Sequence, residues 1–484
     1  MTFAELKTLL FARGNFGMKL GLERMQAALE LLGNPHRAAP ALHIAGSNGK
    51  GSTCAFAEAA LRAAGLKTGL YTSPHLMHLC ERIRVDGAPI SEESAAALLE
   101  EILARVPWAL AGGPAGAQDG DGLTFFELVT LMGFLAFARA GVEVMVIEVG
   151  LGGRLDATNV VLPLACAIAP LALEHTQYLG DTIEAIAGEK AGIIKPGVPV
   201  ASAGQALPAA RVLAEAAARN GSLLWRPGRD YRFESRDRLP FCYRSCGTPN
   251  IGTPQNMRGM PTIAPWTVRL EPPASDPAPP LRDPRSGLAL RGSHQRQNAA
   301  LACALLELAA ARGLRVAPVH LEQGLSLARW PGRLQAVGAS PLVLLDGAHN
   351  PHGAGALARA LPAQLSAPPQ LLFGALEGKE LAGILRPLLP LVAGVHLCAP
   401  ATPRALSPEV LRALVSSLAP ALPCATYRST SEALEGARSA ATPSGAVLAC
   451  GSLYLVGELL ALLEQRPIEA MPSERLRPAS LFAR

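Results

Sequence analysis

A glycine-rich segment near the amino terminus carries the residues with the most recognisable chemistry. The segment "AGSNGKGST" (45–53) follows the apolar run at 42–44 and places Lys50 between two glycines. Glycines let backbone N–H groups approach phosphate oxygens, a following helix contributes its positive end, and a lysine supplies a point charge. Ser52 lies where phosphate loops bind Mg²⁺. The spacing is shorter than the general pattern G-x-x-x-x-G-K-[ST], and a glycine-rich turn without a ligand is the alternative.

A second glycine-rich segment follows a strand-like apolar run. In "VIEVGLGGRLDATN" (146–159) the run ends on Glu148, and glycines follow closely. An acid at the carboxyl end of a central strand, beside a phosphate loop, lies where a Mg²⁺ ligand is expected. By itself Glu148 would equally well be a structural acid that caps the loop. Its place beside a phosphate loop favours the ligand.

Polar side chains stand next to glycines in further segments of the chain, which are "EHTQYLG" (174–180), "EKAGIIKPG" (189–197), "LDGAHNPHG" (345–353) and "GSLYLVGE" (451–458). In the first two, His175 taken alone is more typical of a hydrogen-bonded loop residue, and Lys190 taken alone is more typical of a solvated helix face. In the last two, polar residues follow apolar runs, where α/β domains meet their ligands. The candidates there are Asp346, His349, Asn350 and Ser452, although turn chemistry explains each of them singly.

The composition is that of a folded globular protein without a large excess of charge. Of 484 residues, 49% are hydrophobic and 17% are charged, and the formal net charge is +5. A general affinity for nucleic acid or for an anionic membrane therefore has no support. Apolar runs such as 128–138 are too short to span a bilayer, and the amino terminus lacks a signal-peptide pattern. Nine irregularly spaced cysteines, with Cys242 and Cys246 as a near pair, argue against a zinc site and for a reducing cytoplasm.

The order of apolar and amphipathic segments predicts an α/β fold in two domains. From residue 41, short strand-like runs alternate with helical segments, which is typical of a mostly parallel sheet covered on both faces. The predicted parts are a first domain at 1–329 with an irregular excursion at about 226–287, a hinge at 330–335, a smaller α/β domain at 336–465 and a tail at 466–484. We predict that the excursion contains short antiparallel strands and a long surface loop.

Taken together, these motifs resemble the Mur-ligase superfamily and, within it, the dihydrofolate synthase/folylpolyglutamate synthase family. The matching segments lie in order over about residues 18–458, nearly the whole chain. Besides the segments already quoted they are "YTSPHL" (71–76), "ERIRVDG" (81–87), "LTFFE" (123–127), "IAGEKAGIIKPG" (186–197), "GSHQRQNAA" (292–300) and "WPGRLQ" (330–335). "TSPHL", "GGRLDATN" and "EKAGIIK" are the most specific, and they separate this family from the cell-wall ligases.

The resemblance implies a fold and a set of site residues. The fold would be an amino-terminal phosphate-loop ATPase domain, with a parallel sheet and a small antiparallel subregion, followed by a smaller Rossmann-like α/β domain. The ATP phosphates would be held by Asn48, Gly49, Lys50, Gly51 and Ser52, and the nucleotide would also contact Asn298, Arg333 and Asp346. The Mg²⁺ ligands would be Ser73, Glu148 and His175, together with Ser52. Lys190 matches a lysine that CO₂ carbamylates in this family, which would help to hold a second Mg²⁺.

The resemblance also implies where the substrates bind. The pterin would contact Thr124, Phe125, Phe126, Glu127 and Leu155, and the incoming glutamate would contact His349 and Ser452. Lys50, Lys190 and His349 would take part in catalysis. The chain departs from the family at Glu174, where an aspartate more commonly precedes the histidine, and in the length of the 226–287 excursion.

The implied activity is ATP-dependent amide ligation through an acyl phosphate. L-glutamate would be joined to dihydropteroate, and tetrahydrofolates would be extended with γ-linked glutamates. "LTFFE" together with "GMKLGLERM" (17–25) favours both activities over folylpolyglutamate synthesis alone. The alternatives are a monofunctional folylpolyglutamate synthase, a cell-wall ligase, or a regulatory ATPase of the phosphate-loop class. The expected partners are small molecules only, and the expected state is a monomer.

Overall fold

The computed structural model describes most of the chain as two α/β lobes. The described residues are 1–14, 21–111, 122–236, 239–247, 263–272, 286–338 and 340–468. Much of the predicted excursion at 226–287, part of the segment 17–25, and the tail beyond residue 468 lie outside them. Within these ranges, no helix combines the length and the apolar character needed to cross a membrane.

The first lobe is built around an eight-stranded sheet. Its strands are β1 (Ala41–Ala45), β2 (Thr68–Tyr71), β3 (Ile83–Val85), β4 (Ala88–Pro89), β5 (Val144–Glu148), β6 (Pro163–Ile168), β7 (Val200–Ser202) and β8 (Leu224–Trp225). The order is β4-β3-β2-β5-β1-β6-β7-β8, and all neighbours from β2 to β8 are parallel, whereas β3 and β4 are antiparallel. The sheet therefore confirms the predicted mostly parallel architecture.

Helices cover both faces of this sheet. They are α1 (Phe3–Gly14), α2 (Glu23–Leu31), α3 (Lys50–Ala63), α4 (Glu92–Arg105), α5 (Phe125–Ala140), α6 (Thr176–Leu179), α7 (Ile183–Ala191) and α8 (Leu207–Arg219), with α9 (Ser293–Ala310) and α10 (Pro318–Leu327) later in the chain. Strands β1 and β5 are buried at every position, as strands of a sheet covered on both faces must be. Their continuous apolar runs are the reason that the sequence predicts them.

Part of the excursion forms a small antiparallel sheet beside α9. The strands β9 (Tyr231–Phe233), β10 (Cys242–Ser245) and β11 (Thr267–Arg269) lie in the order β11-β10-β9. A buried acid connects this sheet to the lobe: Glu307 accepts hydrogen bonds from the Tyr243 hydroxyl at 2.8 Å and from the Ser245 hydroxyl at 2.6 Å. The described residues thus confirm short antiparallel strands in this region.

Glu307 is expected to make folding stability depend on pH. Burial raises the pKa of Glu307 to about 7, although Ser245 and Tyr243 oppose the shift. The folded protein therefore holds this proton more tightly than the unfolded chain. The protonated Glu307 contributes roughly 3 kcal/mol to the free energy of unfolding. This contribution is fully present below about pH 4.5 and is lost as the pH rises through about 7. Denaturant unfolding between these pH values should show a flatter profile for Glu307→Gln than for the wild type. Equal slopes in both proteins would contradict the assignment.

The second lobe is a six-stranded sheet with helices on both faces. Its elements are β12 (Gln335–Val337), β13 (Leu342–Leu345), α11 (Pro351–Gln364), β14 (Gln370–Phe373), α12 (Leu381–Leu385), β15 (Gly394–Leu397), α13 (Pro408–Leu418), β16 (Cys424–Thr426), α14 (Thr430–Ala440), β17 (Ala446–Cys450) and α15 (Leu453–Glu464). The order is β12-β13-β17-β14-β15-β16, and only the β12–β13 pair is antiparallel among these described strands. Leu76 and Met77 of the first lobe pack into the core of this second lobe.

Candidate active site

A cavity of about 830 Å³ lies between the two lobes. It is lined by the loops that follow β1, β5 and β6 in the first lobe and by those that follow β13, β14 and β17 in the second. These loops stand at the carboxyl ends of parallel strands, where open α/β sheets bind ligands. Every site residue singled out from the sequence lines this cavity except Lys190, which lies directly behind it.

The phosphate-loop segment joins β1 to the amino terminus of α3. Gly49 has φ +86°, in the left-handed region that favours glycine, and a side chain there would collide with Asn298. The Lys50 ammonium donates to the carbonyl of Gly46 at 3.0 Å. The loop is therefore folded tightly, with its lysine drawn back along the cavity wall and with Asn298 packed against its backbone.

A hydroxyl and a carboxylate lie next to this loop in positions that suit a divalent cation. The Ser52 hydroxyl is buried and has no hydrogen-bond partner in the described structure. Glu148 is buried at the end of β5 and accepts the backbone N–H of Ser73 at 3.2 Å. Burial raises the pKa of Glu148, although Lys50 opposes the shift. The Ser52 hydroxyl lacks a partner, and the Glu148 carboxylate is costly to ionise without a nearby positive charge. Both features suit Mg²⁺, which prefers oxygen ligands.

The lysine behind the cavity is held by an acid on the cavity wall. Lys190 is buried, and its ammonium donates to Glu174 at 3.0 Å and to the Gly46 carbonyl at 2.9 Å. Burial lowers the pKa of Lys190, and Lys50 lowers it further, against the effect of Glu174. Burial alone would raise the pKa of Glu174, but Lys190 and the other cations nearby outweigh it and lower the pKa to about 2. Glu174, which stands where the family more commonly has an aspartate, thus pairs with Lys190.

His175 directly precedes α6, next to this pair, and is neutral at ordinary pH. Burial lowers the pKa of His175 to about 4, so its ring has a lone pair available for a cation. Among the described residues, no three His, Cys, Asp or Glu side chains converge as a metal site. A cation here would therefore depend on hydroxyl, water and phosphate oxygens as well, as Mg²⁺ commonly does.

Close packing explains why a glycine, Gly51, follows the loop lysine. A Cβ atom at Gly51 would lie 2.7 Å from Nε1 and Cζ2 of the Trp330 indole. Trp330 belongs to the predicted hinge, and the Arg84 guanidinium lies 5.6 Å from its ring centroid. The glycine after the loop lysine therefore makes room for the indole of the segment that joins the two lobes.

Replacement of Gly51 by alanine is expected to destabilise the protein by about 1–3 kcal/mol, because the added methyl overlaps the Trp330 ring. Gly188 in α7 is the matched control, since nothing lies within 4 Å of a Cβ placed there. Gly188→Ala should instead stabilise the helix by about 0.5–1 kcal/mol. Thermal unfolding of both variants measures the difference, and equal stability of the two would contradict the packing argument.

One end of the cavity is aromatic. Thr124 caps α5 by accepting the N–H of Glu127, and the Glu127 carboxylate accepts the N–H of Thr124 at 2.8 Å. Glu127 is also paired with Arg24 at 2.9 Å. The ring of Phe126 lies directly against Gly150. The structure therefore places Phe126 and the neighbouring Leu155 on a surface that suits a flat ring, while Glu127 shapes the start of the helix.

The second lobe contributes an acid and a basic side chain near its hinge. The Asp346 carboxylate accepts the N–H groups of Leu334 at 2.8 Å and Ala348 at 2.9 Å. Burial lowers the pKa of Arg333, although Asp346 and Glu148 oppose the shift. Because Asp346 holds the N–H of Leu334, the residue after Arg333, it anchors the hinge segment that carries this arginine.

Two further side chains of the second lobe line the cavity. His349 donates from Nδ1 to the Gly347 carbonyl at 2.8 Å, and burial lowers the pKa of His349 to about 4. Its Nε2 therefore carries a lone pair. Ser452 caps α15 by accepting the N–H of Tyr454 at 3.1 Å.

Sequence reasoning missed several basic residues of the second lobe, among them Lys379 and Arg404. Lys379 and Arg404 both line the cavity, and burial lowers the pKa of Lys379. Lys379 lies in the segment "GALEGKE" (374–380), which follows β14. The rule that drew attention to Asp346, a polar residue after a buried strand, would have found Lys379 as well. The segment around Arg404 carries no comparable signal.

The fold and the site define a two-lobe phosphate-loop protein whose ligands bind between the lobes. Residues 332–453 match the family described as Mur ligase, glutamate ligase domain. The chain is 34% identical to the dihydrofolate synthase/folylpolyglutamate synthase of Bacillus subtilis, over 83% of this chain and 86% of that protein. The chain belongs to the dihydrofolate synthase/folylpolyglutamate synthase family, as its motifs predicted.

A longer relative and a solved structure extend the comparison. A probable bifunctional folylpolyglutamate synthase/dihydropteroate synthase of Halobacterium salinarum is 37% identical over 95% of this chain, which spans about half, 51%, of that protein. The crystal structure of the bifunctional folylpolyglutamate synthase/dihydrofolate synthase of Yersinia pestis, complexed with AMPPNP and Mn ion, is 29% identical. It superposes with a TM-score of 0.76 and covers 96% of this chain and 98% of that one.

Proposed function

We propose that the protein is an ATP-dependent amide ligase that acts on pterin-containing carboxylates. It joins L-glutamate to dihydropteroate and extends tetrahydrofolates with γ-linked glutamates, through an acyl phosphate. The observation that carries this proposal is the single cavity into which the phosphate loop, the aromatic end around Phe126 and the basic residues of the second lobe all open. The Yersinia pestis relative, named for both activities, supports the nucleotide and the cation in it.

The proposal includes the residues that would hold the cation. Ser52, Ser73, Glu148 and His175 would hold Mg²⁺, and we propose that carbamylated Lys190 helps to hold a second ion. When bound, the ions would supply positive charge that stabilises the transferred phosphoryl group. The lowered pKa of Lys190 supports carbamylation, because CO₂ adds to the neutral amine.

The residues of the chain then have separate tasks in the reaction. The substrate carboxylate attacks the γ-phosphorus of ATP and ADP leaves, while the Lys50 ammonium balances charge on the transferred group. The amine of glutamate attacks the acyl carbon, the bond from that carbon to the phosphate oxygen breaks, and the leaving phosphate takes up the proton that the new amide nitrogen loses. His349 Nε2, whose partner nitrogen donates to Gly347, is free to accept a hydrogen bond from that amine. Lys379 and Arg404 provide positive charge that suits the carboxylates of the incoming amino acid.

Closure of the lobes would protect the acyl phosphate. An acyl phosphate hydrolyses readily, so a cavity that excludes water favours ligation over loss of the intermediate. We propose that the first domain ends at residue 329, that 330–335 acts as the hinge, and that 336–465 moves over the phosphate loop. The packing of Trp330 against Gly51 supports this division, because it fixes the hinge to the phosphate loop.

The test is ADP release by purified protein with ATP, Mg²⁺ and L-glutamate, with dihydropteroate or tetrahydrofolate in separate reactions. Turnover that needs glutamate and responds to both acceptors is the expected result. A response to tetrahydrofolate alone would leave a monofunctional folylpolyglutamate synthase. Hydrolysis that is indifferent to glutamate and to both acceptors would overturn the ligase assignment and favour a regulatory ATPase.

We also propose that the protein works as a monomer in the cytoplasm, on small molecules and without nucleic acid or membrane. Its nine cysteines are all free thiols, which suits a reducing compartment. Sedimentation equilibrium should give the mass of one chain, 50.4 kDa, and fractionation of cells should place the protein with the cytosol.

A further inference from the structure

Side chains of the second lobe hold the phosphate loop across the cavity. Asn350 caps the start of α11, and its Nδ2 donates to Oδ1 of Asn48 at 3.0 Å. The Nδ2 of Asn48 is in turn 3.0 Å from Nδ1 of His352. Asn48 and Asn350 are 302 residues apart in sequence and belong to different lobes. Asn350 is buried, whereas His352 is exposed at the rim.

A backbone N–H group sets the direction of the hydrogen bonds that link Asn350, Asn48 and His352. The N–H of Gly353 donates to Oδ1 of Asn350 at 2.8 Å, so the amide nitrogen of Asn350 is the atom that faces Asn48. Asn48 must then accept with Oδ1, which leaves its own amide nitrogen to donate to His352. His352 accepts at Nδ1 and carries its proton on Nε2. The cap of α11 thus dictates the orientation of a side chain on the phosphate loop.

The first lobe holds the backbone of the same residue. The N–H groups of Ser47 and Asn48 both donate to the carbonyl of Pro170, at 3.0 and 3.1 Å. Asn48 immediately precedes the left-handed Gly49 and the phosphate-binding Lys50. Among the described residues, the side chain of Asn48 thus makes its hydrogen bonds to the second lobe, one residue before the turn that presents the lysine.

We propose that Asn350 and His352 are positioning residues that complete the phosphate loop only when the second lobe closes. In the open protein the Asn48 side chain is released and the loop is less well ordered. Phosphoryl transfer then becomes coupled to closure, and the acyl phosphate forms only in the cavity that protects it. This inference rests on the proposed ligase function. It assigns a role to Asn350, for which the sequence indicated turn chemistry, and to His352, for which it indicated no role.

A double-mutant cycle tests the coupling. Asn350→Ser keeps a good helix cap but is too short to reach Asn48, and Asn48→Ala removes the other partner. Asn350→Ser should lower kcat about tenfold, which is the effect of one lost hydrogen bond, while KM for ATP stays within about twofold. Asn48→Ala also loses the bond to His352 and should lower kcat at least as much. The double variant should be no slower than the worse single variant, because both remove the same interaction. Ser407→Asn, which changes the cap of α13 in the same lobe, is the control and should leave kcat unchanged.

Two kinetic results would contradict the proposal. Losses that multiply in the double variant, or a loss confined to KM for ATP, would overturn the proposal. Small-angle X-ray scattering with ADP bound gives a second readout, in which Asn350→Ser should stay more open than the wild type. An unchanged scattering profile contradicts the proposal even if the wild type ligates nothing. Failure of the wild type to ligate would instead count against the proposed function.

Discussion

Replacement of Lys50 by methionine is expected to lower kcat for glutamate-dependent ADP release about 100- to 1000-fold. Methionine keeps most of the volume of the side chain but removes its charge. Lys50 is the cation on the phosphate loop, and its field reaches both Glu148 and Glu174. Groups that face charge developing in a transition state inside a water-poor site contribute effects of this size. Steady-state kinetics with saturating glutamate and acceptor measure the loss.

The control for this variant is Lys67→Met. Lys67 is exposed and donates to the carbonyl of Ala140 in the same lobe, so it tests the general effect of removing one positive charge. Both variants should unfold at temperatures close to that of the wild type. Turnover of Lys50→Met within tenfold of the wild type would show that the loop lysine does not stabilise the transferred phosphoryl group.

The elements that carry the phosphate loop are predictable because the information is local. Strand β1 is a continuous apolar run, and the glycines that follow it can only form a turn before α3. The same holds for β5 and the acid at its end. Residues at the carboxyl ends of parallel strands meet at one edge of a sheet, so Glu148 is predictable as a neighbour of the loop once both strands are recognised.

The partners of the site residues are not predictable from spacing, since the packing of distant segments decides them. Nothing near Lys190 in sequence indicates that Glu174 pairs with it, and nothing near Gly51 indicates the indole of Trp330. Glu127 is singled out by its motif as a substrate contact, yet its carboxylate lies within a helix cap and an ion pair with Arg24. Such arrangements depend on the way the lobes and loops come together.

Lys190→Ala is expected to lower turnover at least about 100-fold, and short carboxylates are expected to restore part of it. The alanine variant leaves a cavity behind Glu174, in which formate or acetate can replace the carbamate that we propose on Lys190. Without carbamylation, Lys190 is an ammonium paired with Glu174 at 3.0 Å. In that case a small amine such as methylammonium would restore activity, and carboxylates would not, because a second anion beside Glu174 is repelled.

The two rescue experiments therefore distinguish the two charge states of one side chain. Lys195→Ala is the matched control: Lys195 belongs to the same segment and donates to the carbonyl of Asn159 at 3.0 Å, so neither additive should affect it specifically. A carbamate signal in ¹³C NMR after exchange with labelled bicarbonate, present in the wild type and lost in Lys190→Ala, is a readout independent of activity. Rescue by methylammonium without that signal would assign Lys190 as the counter-charge of Glu174. In that outcome the low pKa of Glu174, rather than a carbamate, would keep a carboxylate beside the phosphate loop.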